Sequence, residues 1–193
     1  MKSKRCSTKV LLLQKVAEMS ELIRTMLDLE TTGKSAGCGI LCIGATTFDK
    51  QHKFYERIAH SSCIAHGLKD DIDTMRWWQK QDPQLRAEAF GGTKDLVEVL
   101  DNFHDWFRSI DQKNWEKIEI WGNGSDFDNP ILKAAYEAVD RPIPWGPWSG
   151  RCYRTLKNLL KHVEAPPRAS KKHHALDDAI YQAEHATLLL QVL

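Results

Sequence analysis

The sequence has little that would mark a membrane, secreted or strongly charged protein. No apolar stretch approaches the roughly 18 residues that a membrane span needs. The 27 basic and 26 acidic residues leave a net charge of +1, so overall charge predicts no class of partner. Five cysteines form no C-x-x-C pair, which is typical of free thiols in a reducing compartment. We therefore expect a cytoplasmic location and no membrane partner.

The length of the chain limits the number of domains. At 193 residues it can bury one substantial core, and we expect residues 19–193 to form a single domain. Residues 1–18 begin with basic side chains, and the apolar run at 10–13 is too short for a signal peptide. We expect this segment to be a disordered or loosely helical extension.

Hydrophobic periodicity predicts an α/β protein in which three strands come first. Alternating and β-rich runs predict strands at residues 23–31, 40–48, 53–58 and 118–121. Amphipathic spacing and helix-start signals predict helices at 74–81, in a short stretch after Pro83, and at 94–109, 128–139, 153–163 and 175–193. This order suits a mixed sheet flanked by helices.

Three acidic clusters are the most informative feature: Asp28-Leu29-Glu30, Asp126-Phe127-Asp128 and the segment 173–178. Residues two apart in a strand point to the same face, so Asp28 and Glu30 project together. Alone, such a pair is commonly a surface feature, but here core-like strands flank it. Neighbouring carboxylates need a proton or a cation between them, and the further acids favour a cation. Oxygen ligands without thiols indicate two Mg²⁺ or Mn²⁺ ions held against a phosphodiester.

The second and third clusters each lie where a helix begins. Asp128 could point into the same cleft as the first cluster, or Asp126 or Asp128 could simply cap the following helix. His173 precedes the last predicted helix and Asp178 lies in its first turn. A lone histidine is usually structural, but beside metal-binding carboxylates an imidazole can take a proton from an attacking water.

Three segments, MLDLETTG (26–33), GNGSDFDNPIL (122–132) and HHALDDA (173–179), resemble the motifs of the DEDDh 3′–5′ exonucleases. With FYERI, DTMRWWQKQ and CYRTLKNLL, the chain is most similar to small stand-alone phage and actinobacterial members of that superfamily. The resemblance covers about residues 22–193. It implies a single exonuclease domain with a ribonuclease-H-like α/β fold, a mixed five-stranded sheet whose first three strands are antiparallel, flanked by helices.

The resemblance also implies the roles of the acidic residues. The family pattern of the second motif fits Asp128 rather than Asp126, and H-x-A-x-x-D selects His173 and Asp178 over their neighbours. Gly124 stands where the family usually has asparagine. The implied general base is His173, and the implied metal ligands are Asp28, Glu30, Asp128 and Asp178.

The implied activity is metal-dependent hydrolysis of single-stranded DNA or RNA from the 3′ end, releasing nucleoside 5′-monophosphates by a two-metal mechanism. A phage-encoded enzyme would act in the cytoplasm of its bacterial host. The sequence does not decide whether the protein forms a homodimer. Two other readings are a non-catalytic binding module, although all five key residues are present, and a structure-specific endonuclease. The endonucleases of this superfold normally lack the histidine before the last acid.

Several residues are predicted to contact the substrate. Hydroxyl and N–H groups of the turn 31–33 could hold a terminal nucleotide. Arg154, Lys157 and Lys161 follow helical spacing and could track a phosphate backbone, although a solvated face has the same pattern. Trp77 and Trp78 are adjacent and cannot share one helix face. One of them could stack on a base while the other packs in the core, or both could pack in the core. The predicted contacts are Thr31, Thr32, Gly33, Trp78, Arg154 and Lys172.

Overall fold

The computed structural model describes residues 22–168 and 173–193, so the expected extension at 1–18 lies outside the described residues. Within them, one five-stranded sheet is formed by β1 (Arg24–Thr31), β2 (Ile40–Thr47), β3 (Lys53–Arg57), β4 (Glu119–Gly122) and β5 (Gly150–Cys152). The helices are α1 (His60–Ala65), α2 (Ile72–Gln79), α3 (Pro83–Phe90), α4 (Leu96–Ile110), α5 (Asp128–Ala138), α6 (Tyr153–Leu159) and α7 (Ala175–Leu190). A 3₁₀ turn covers Trp115–Lys117.

The sheet is mixed, with the strand order β3-β2-β1-β4-β5. The first three strands are antiparallel to one another, whereas β1 and β4, and β4 and β5, run parallel. This topology confirms the expected mixed sheet that begins with an antiparallel meander. Because β1 is the central strand, side chains at its end can contact residues from both the N-terminal and the C-terminal half of the chain.

Alternation along β1 assigns its side chains to two different layers. Leu27 and Leu29 belong to a core cluster that includes buried side chains of α4 and α5. Met26 belongs to a second cluster formed with α6 and α7. Since side chains alternate along a strand, Asp28 and Glu30 share the face of Met26, which is the face that α7 covers.

Small residues bring α7 unusually close to the sheet. Ala179, Ala183 and Ala186 recur at helical spacing and are completely buried against it. Gly44 of β2 lies where α7 begins, and a Cβ placed on it would be 2.2 Å from the carbonyl carbon of Ala175. The start of α7 therefore rests on the backbone of β2.

Three local expectations were incomplete or wrong. Helix α1 and strand β5 have only 6 and 3 residues, which is too short for periodicity to reveal them. Helix α6 ends at Leu159 rather than at residue 163, because Leu160 leaves the helical conformation. Leu159, expected to face inward, is exposed as a result. None of the helices in residues 22–168 and 173–193 combines the length and apolar character needed to cross a bilayer.

Candidate active site

A cleft of about 660 Å³ opens at the end of β1, between α2 and α7. Its walls come from β1, α2, the turn after β4, α6 and the start of α7. Four of the five predicted catalytic residues, Asp28, Glu30, His173 and Asp178, line this cleft. The fold thus brings together side chains that lie far apart in the sequence.

Three of the predicted metal ligands form a compact cluster of oxygen atoms. One carboxylate oxygen from each of Asp28, Glu30 and Asp178 lies within 4.8 Å of the other two. The two β1 residues share the α7 face of the strand, whereas Asp178 lies in the first turn of α7. Such a set of oxygens is suited to a hard divalent cation.

Asp128, the fourth predicted ligand, is 1% exposed and begins α5. Its Oδ1 accepts a hydrogen bond from the Leu29 N–H at 3.2 Å, and its Oδ2 accepts one from the Asn123 N–H at 2.6 Å. Phe127 is the residue that caps α5, and its side chain makes no cap hydrogen bond. Asp126 is exposed. Neither acid therefore caps the helix. Asp128 lies beside β1, close enough for its charge to act on Asp28 and Glu30, but it is not among the described residues that line the cleft or form the three-carboxylate cluster.

The acidic residues are crowded and poorly hydrated. Burial raises the pKa of Asp28 well above its usual value, and the charges of Asp128 and Glu30 raise it further. Burial and the charge of Asp128 raise the pKa of Glu30 to about 8. Burial raises the pKa of Asp128 to about 6, although its two N–H partners oppose this. Ionising these neighbouring carboxylates together is unfavourable, and a bound cation would offset that cost, so the donor set fits a divalent metal.

Gln182 is a site residue that sequence reasoning missed. It is 5% exposed, and its Nε2 donates a hydrogen bond to Asp28 Oδ1 at 2.6 Å. Its buried Oε1 has no hydrogen-bond partner among the described residues. The available signal was spacing, because Gln182 follows Asp178 by one helical turn and therefore shares its helix face.

Arg168 is a second residue whose place was not predicted. Its guanidinium pairs with Asp178 and lies 4.8 Å from the centre of the Tyr181 ring. The positive charge also lowers the pKa of Asp28, against the effect of burial. In the sequence, Arg168 was only one of several basic residues before the third motif.

His173 lines the cleft next to Asp178. Its backbone N–H donates to Asp178 Oδ2 at 2.7 Å, and its φ of 64° turns the chain sharply before α7. The imidazole ring meets the ring of Trp77 edge-on, with centroids 5.1 Å apart. His174 instead caps α7 and packs against Tyr55, which fits a structural role.

The turn 31–33 is only partly available to a ligand. Thr31 and Gly33 line the cleft, and the Thr31 hydroxyl donates to the Gly33 carbonyl at 2.7 Å. Thr32 is fully buried, and its hydroxyl donates to the Gly39 carbonyl at 3.4 Å. The expected substrate contact by the Thr32 side chain is therefore corrected, because that side chain holds the turn together.

Both adjacent tryptophans border the cleft, but the predicted substrate contact Trp78 offers much less exposed surface than Trp77. Trp78 is 2% exposed, and its indole N–H donates to the Thr31 carbonyl at 2.8 Å. Trp77 is 39% exposed, lines the cleft and contacts His173. The two tryptophans differ in exposure because the face of α2 that carries Trp78 packs against the sheet.

Two of the basic residues that were expected to form a stripe, Arg154 and Lys157, lie on α6. Arg154 is exposed on α6, beside Gly124, and its charge lowers the pKa of Asp128. Lys157, one helical turn further on, lines the cleft. Lys172 lies outside the described residues.

A model of the domain family described as "3′–5′ exoribonuclease Rv2179c-like domain" matches residues 23–190. The chain belongs to this Rv2179c-like family. Membership confirms the predicted resemblance and the assignment as a 3′–5′ exonuclease. The match begins just before β1 and ends with α7, so it includes all three acidic motifs.

Two solved structures have the fold of this Rv2179c-like chain. One is the nuclease domain of 3′hExo, a DEDDh family member, bound to rAMP, with a TM-score of 0.61 and 13% identity over 89% of this chain and 92% of that one. The other, described as 3′-end specific recognition of histone mRNA stem-loop by 3′-exonuclease, has a TM-score of 0.53 and 11% identity over 96% and 72% of the two chains. At this identity the likeness establishes the fold. A comparison with curated proteins finds no match.

Proposed function

We propose that this Rv2179c-like domain shortens single-stranded RNA from its 3′ end, with two divalent cations, and releases nucleoside 5′-monophosphates. The observation that carries the proposal is the oxygen cluster of Asp28, Glu30 and Asp178 beside His173. The family description names exoribonucleases, one structural neighbour is bound to rAMP, and the other concerns a histone mRNA. These descriptions favour RNA over DNA.

The four carboxylates of Asp28, Glu30, Asp128 and Asp178 would hold the cations, and Mg²⁺ or Mn²⁺ suits their oxygen atoms. When bound, such ions lower the pKa of a water nucleophile and stabilise charge on the leaving oxygen. Gln182 holds the Asp28 carboxylate, and two backbone N–H groups hold that of Asp128. The ligands are thereby oriented by the chain itself.

His173 is proposed as the general base. Its imidazole takes a proton from the attacking water, whose oxygen forms a new bond to phosphorus. The bond between phosphorus and the 3′ oxygen of the preceding nucleotide breaks, and that oxygen leaves and acquires a proton. The terminal nucleotide would lie in the part of the cleft lined by Thr31, Gly33 and Trp77. Lys157 would provide a positive charge for its phosphate.

The test is to incubate a 5′-labelled single-stranded RNA with the protein in Mg²⁺ and, in parallel, in EDTA. A ladder of products that shortens from the 3′ end in Mg²⁺ alone, and that Asp28→Asn abolishes, is the expected result. Internal cuts would indicate an endonuclease, and binding without cleavage a binding module. A matched DNA strand degraded faster than RNA would contradict the proposed substrate.

A further inference from the structure

We propose that a second groove, next to the catalytic cleft, binds the nucleotides on the 5′ side of the terminal one. This inference rests on the proposed function, because it concerns the remainder of the same substrate strand. The α5–β5 groove has a volume of about 480 Å³. The lining residues that matter here are Gly124, Ser125, Lys133, Pro147 and Arg151.

The groove and the cleft share one turn of the chain. Asn123 and Phe127 line the catalytic cleft, whereas Gly124 and Ser125, in the same turn, line the groove. Gly124 has a φ of +148°, and a Cβ placed on it would lie 3.4 Å from the guanidinium carbon of Arg154. A strand that leaves the cleft across this turn would therefore pass Arg154 and enter the groove, and it would also meet Ser125 and Asp126, which are exposed in the same turn.

The charge of this surface suits a phosphate backbone. Lys133 and Arg151 line the groove, and Arg154 lies at the turn through which the strand would enter it. Three acids offset this charge in part: Glu137 lies 3.7 Å from Lys133, Glu119 lies 2.8 Å from Arg151, and Asp126 lies in the turn itself. Glu119 is buried beneath the surface and also pairs with an arginine of β1, so the exposed side chains are three bases and two acids.

An exposed aromatic side chain stands beside the groove. Trp148 is 86% exposed and directly follows Pro147, which lines the groove. The loop that carries it is fixed, because Arg151 Nη1 donates to the Trp148 carbonyl at 2.6 Å and Ser149 Oγ donates to the Glu116 carbonyl at 3.0 Å. A large ring held in water on an ordered loop beside cationic side chains can stack on a base of any sequence.

The test measures binding of single-stranded RNAs of increasing length, from a dinucleotide to an octanucleotide, by fluorescence anisotropy in Mg²⁺. A terminal phosphorothioate protects each RNA from cleavage. In the wild-type chain, affinity should rise with length. Trp148→Ala and Lys133→Glu should each reduce the affinity ratio of octanucleotide to dinucleotide by about tenfold, the scale of one stacked base or one phosphate contact.

Lys113→Glu, an exposed lysine in the loop after α4, is the matched charge control and should leave this ratio within about twofold of the wild-type value. If the affinity of Trp148→Ala and Lys133→Glu rises with RNA length as steeply as that of the wild-type chain, the proposal that this groove binds RNA is wrong. The proposed function is judged separately, since unprotected RNA must be shortened whether or not the groove contributes. Circular dichroism of each variant confirms that the fold is retained.

Discussion

Gly44 of β2 is the register partner of Asp28 of β1, and the backbone of Ala175 lies directly against it. The contact matters because Ala175 begins the helix that carries Asp178. One position without a side chain therefore sets how closely two acidic residues from opposite ends of the domain approach each other.

Gly44→Ala should damage both the fold and the site. The added Cβ would lie 2.2 Å from backbone atoms of α7, so the helix must shift. We expect a loss of about 1–3 kcal/mol in the free energy of unfolding, as for overpacked cores, together with weaker Mg²⁺ binding. Chemical denaturation and titration calorimetry measure the two effects. Gly150→Ala, where the nearest atom would be 3.6 Å away, is the control, and an equal loss there would contradict this explanation.

Gln182→Leu should weaken metal binding without unfolding the protein. The change removes the hydrogen bond that orients Asp28, and loss of such supporting contacts typically costs about 10–100-fold in metal affinity. Titration calorimetry with Mn²⁺ measures the affinity. Gln191→Leu, an exposed position at the end of the same helix, is the control. Unchanged Mn²⁺ affinity in Gln182→Leu would show that Asp28 is held by other contacts.

Asp28→Asn should stabilise the metal-free protein and abolish turnover. The asparagine keeps the shape of the side chain but cannot ionise, so it avoids the cost of burying a charge, or of taking up a proton, beside Asp128 and Glu30. At about pH 8 in EDTA we expect a rise in Tm of about 2–4 °C, corresponding to roughly 1 kcal/mol. Asp126→Asn, the exposed acid of the second motif, should change neither Tm nor rate. A lower Tm in Asp28→Asn would contradict the proposed repulsion.

The stability of the metal-free protein should fall as the pH rises from about 5 to about 8. Burial, together with the charge of Asp128, raises the pKa of Glu30 from 4.5 to about 8, so between these values the folded state binds more protons than the unfolded state. The raised pKa of Asp28 acts in the same direction. Because Mg²⁺ competes with these protons, its stabilising effect should be larger at pH 8 than at pH 5.

Thermal unfolding in EDTA and in Mg²⁺ across this range measures both trends. Glu30→Gln is the matched variant, since it cannot lose the proton and should show a flatter profile in EDTA. Identical profiles for Glu30→Gln and the wild-type chain would show that other groups cause the pH dependence.

His173→Asn should separate catalysis from metal binding. Asparagine tolerates the left-handed backbone at this position and keeps the N–H that binds Asp178, but it cannot act as the base. We expect kcat to fall by at least about 100-fold while Mn²⁺ affinity changes little. His174→Asn, which preserves a good helix cap, should retain near-normal kcat. A near-normal kcat in His173→Asn would exclude His173 as the base.

The sequence predicted the mixed sheet and the meeting of Asp28, Glu30 and Asp178 in one cleft, because two of these acids lie in a clearly patterned strand and the third lies in the first turn of a clearly patterned helix. It could not predict which adjacent tryptophan is buried, since that depends on which face of α2 packs against the sheet, where the Trp78 indole binds the Thr31 carbonyl. The burial of Thr32 depends on its long-range hydrogen bond to Gly39. The spacing of Gln182 from Asp178 places both on one helix face, but its hydrogen bond to Asp28 depends on the packing of α7 on β1, which the local pattern does not contain.

The peptide N–H of Leu29 connects β1 to Asp128. The pairing of β4 with β1 ends at Met26, so Leu29 lies beyond it, and its N–H binds Asp128 instead. Leu29 stands between Asp28 and Glu30 in the chain. A single peptide segment thus carries two of the acids and tethers a third, so any displacement of this strand end would shift the three together as one unit.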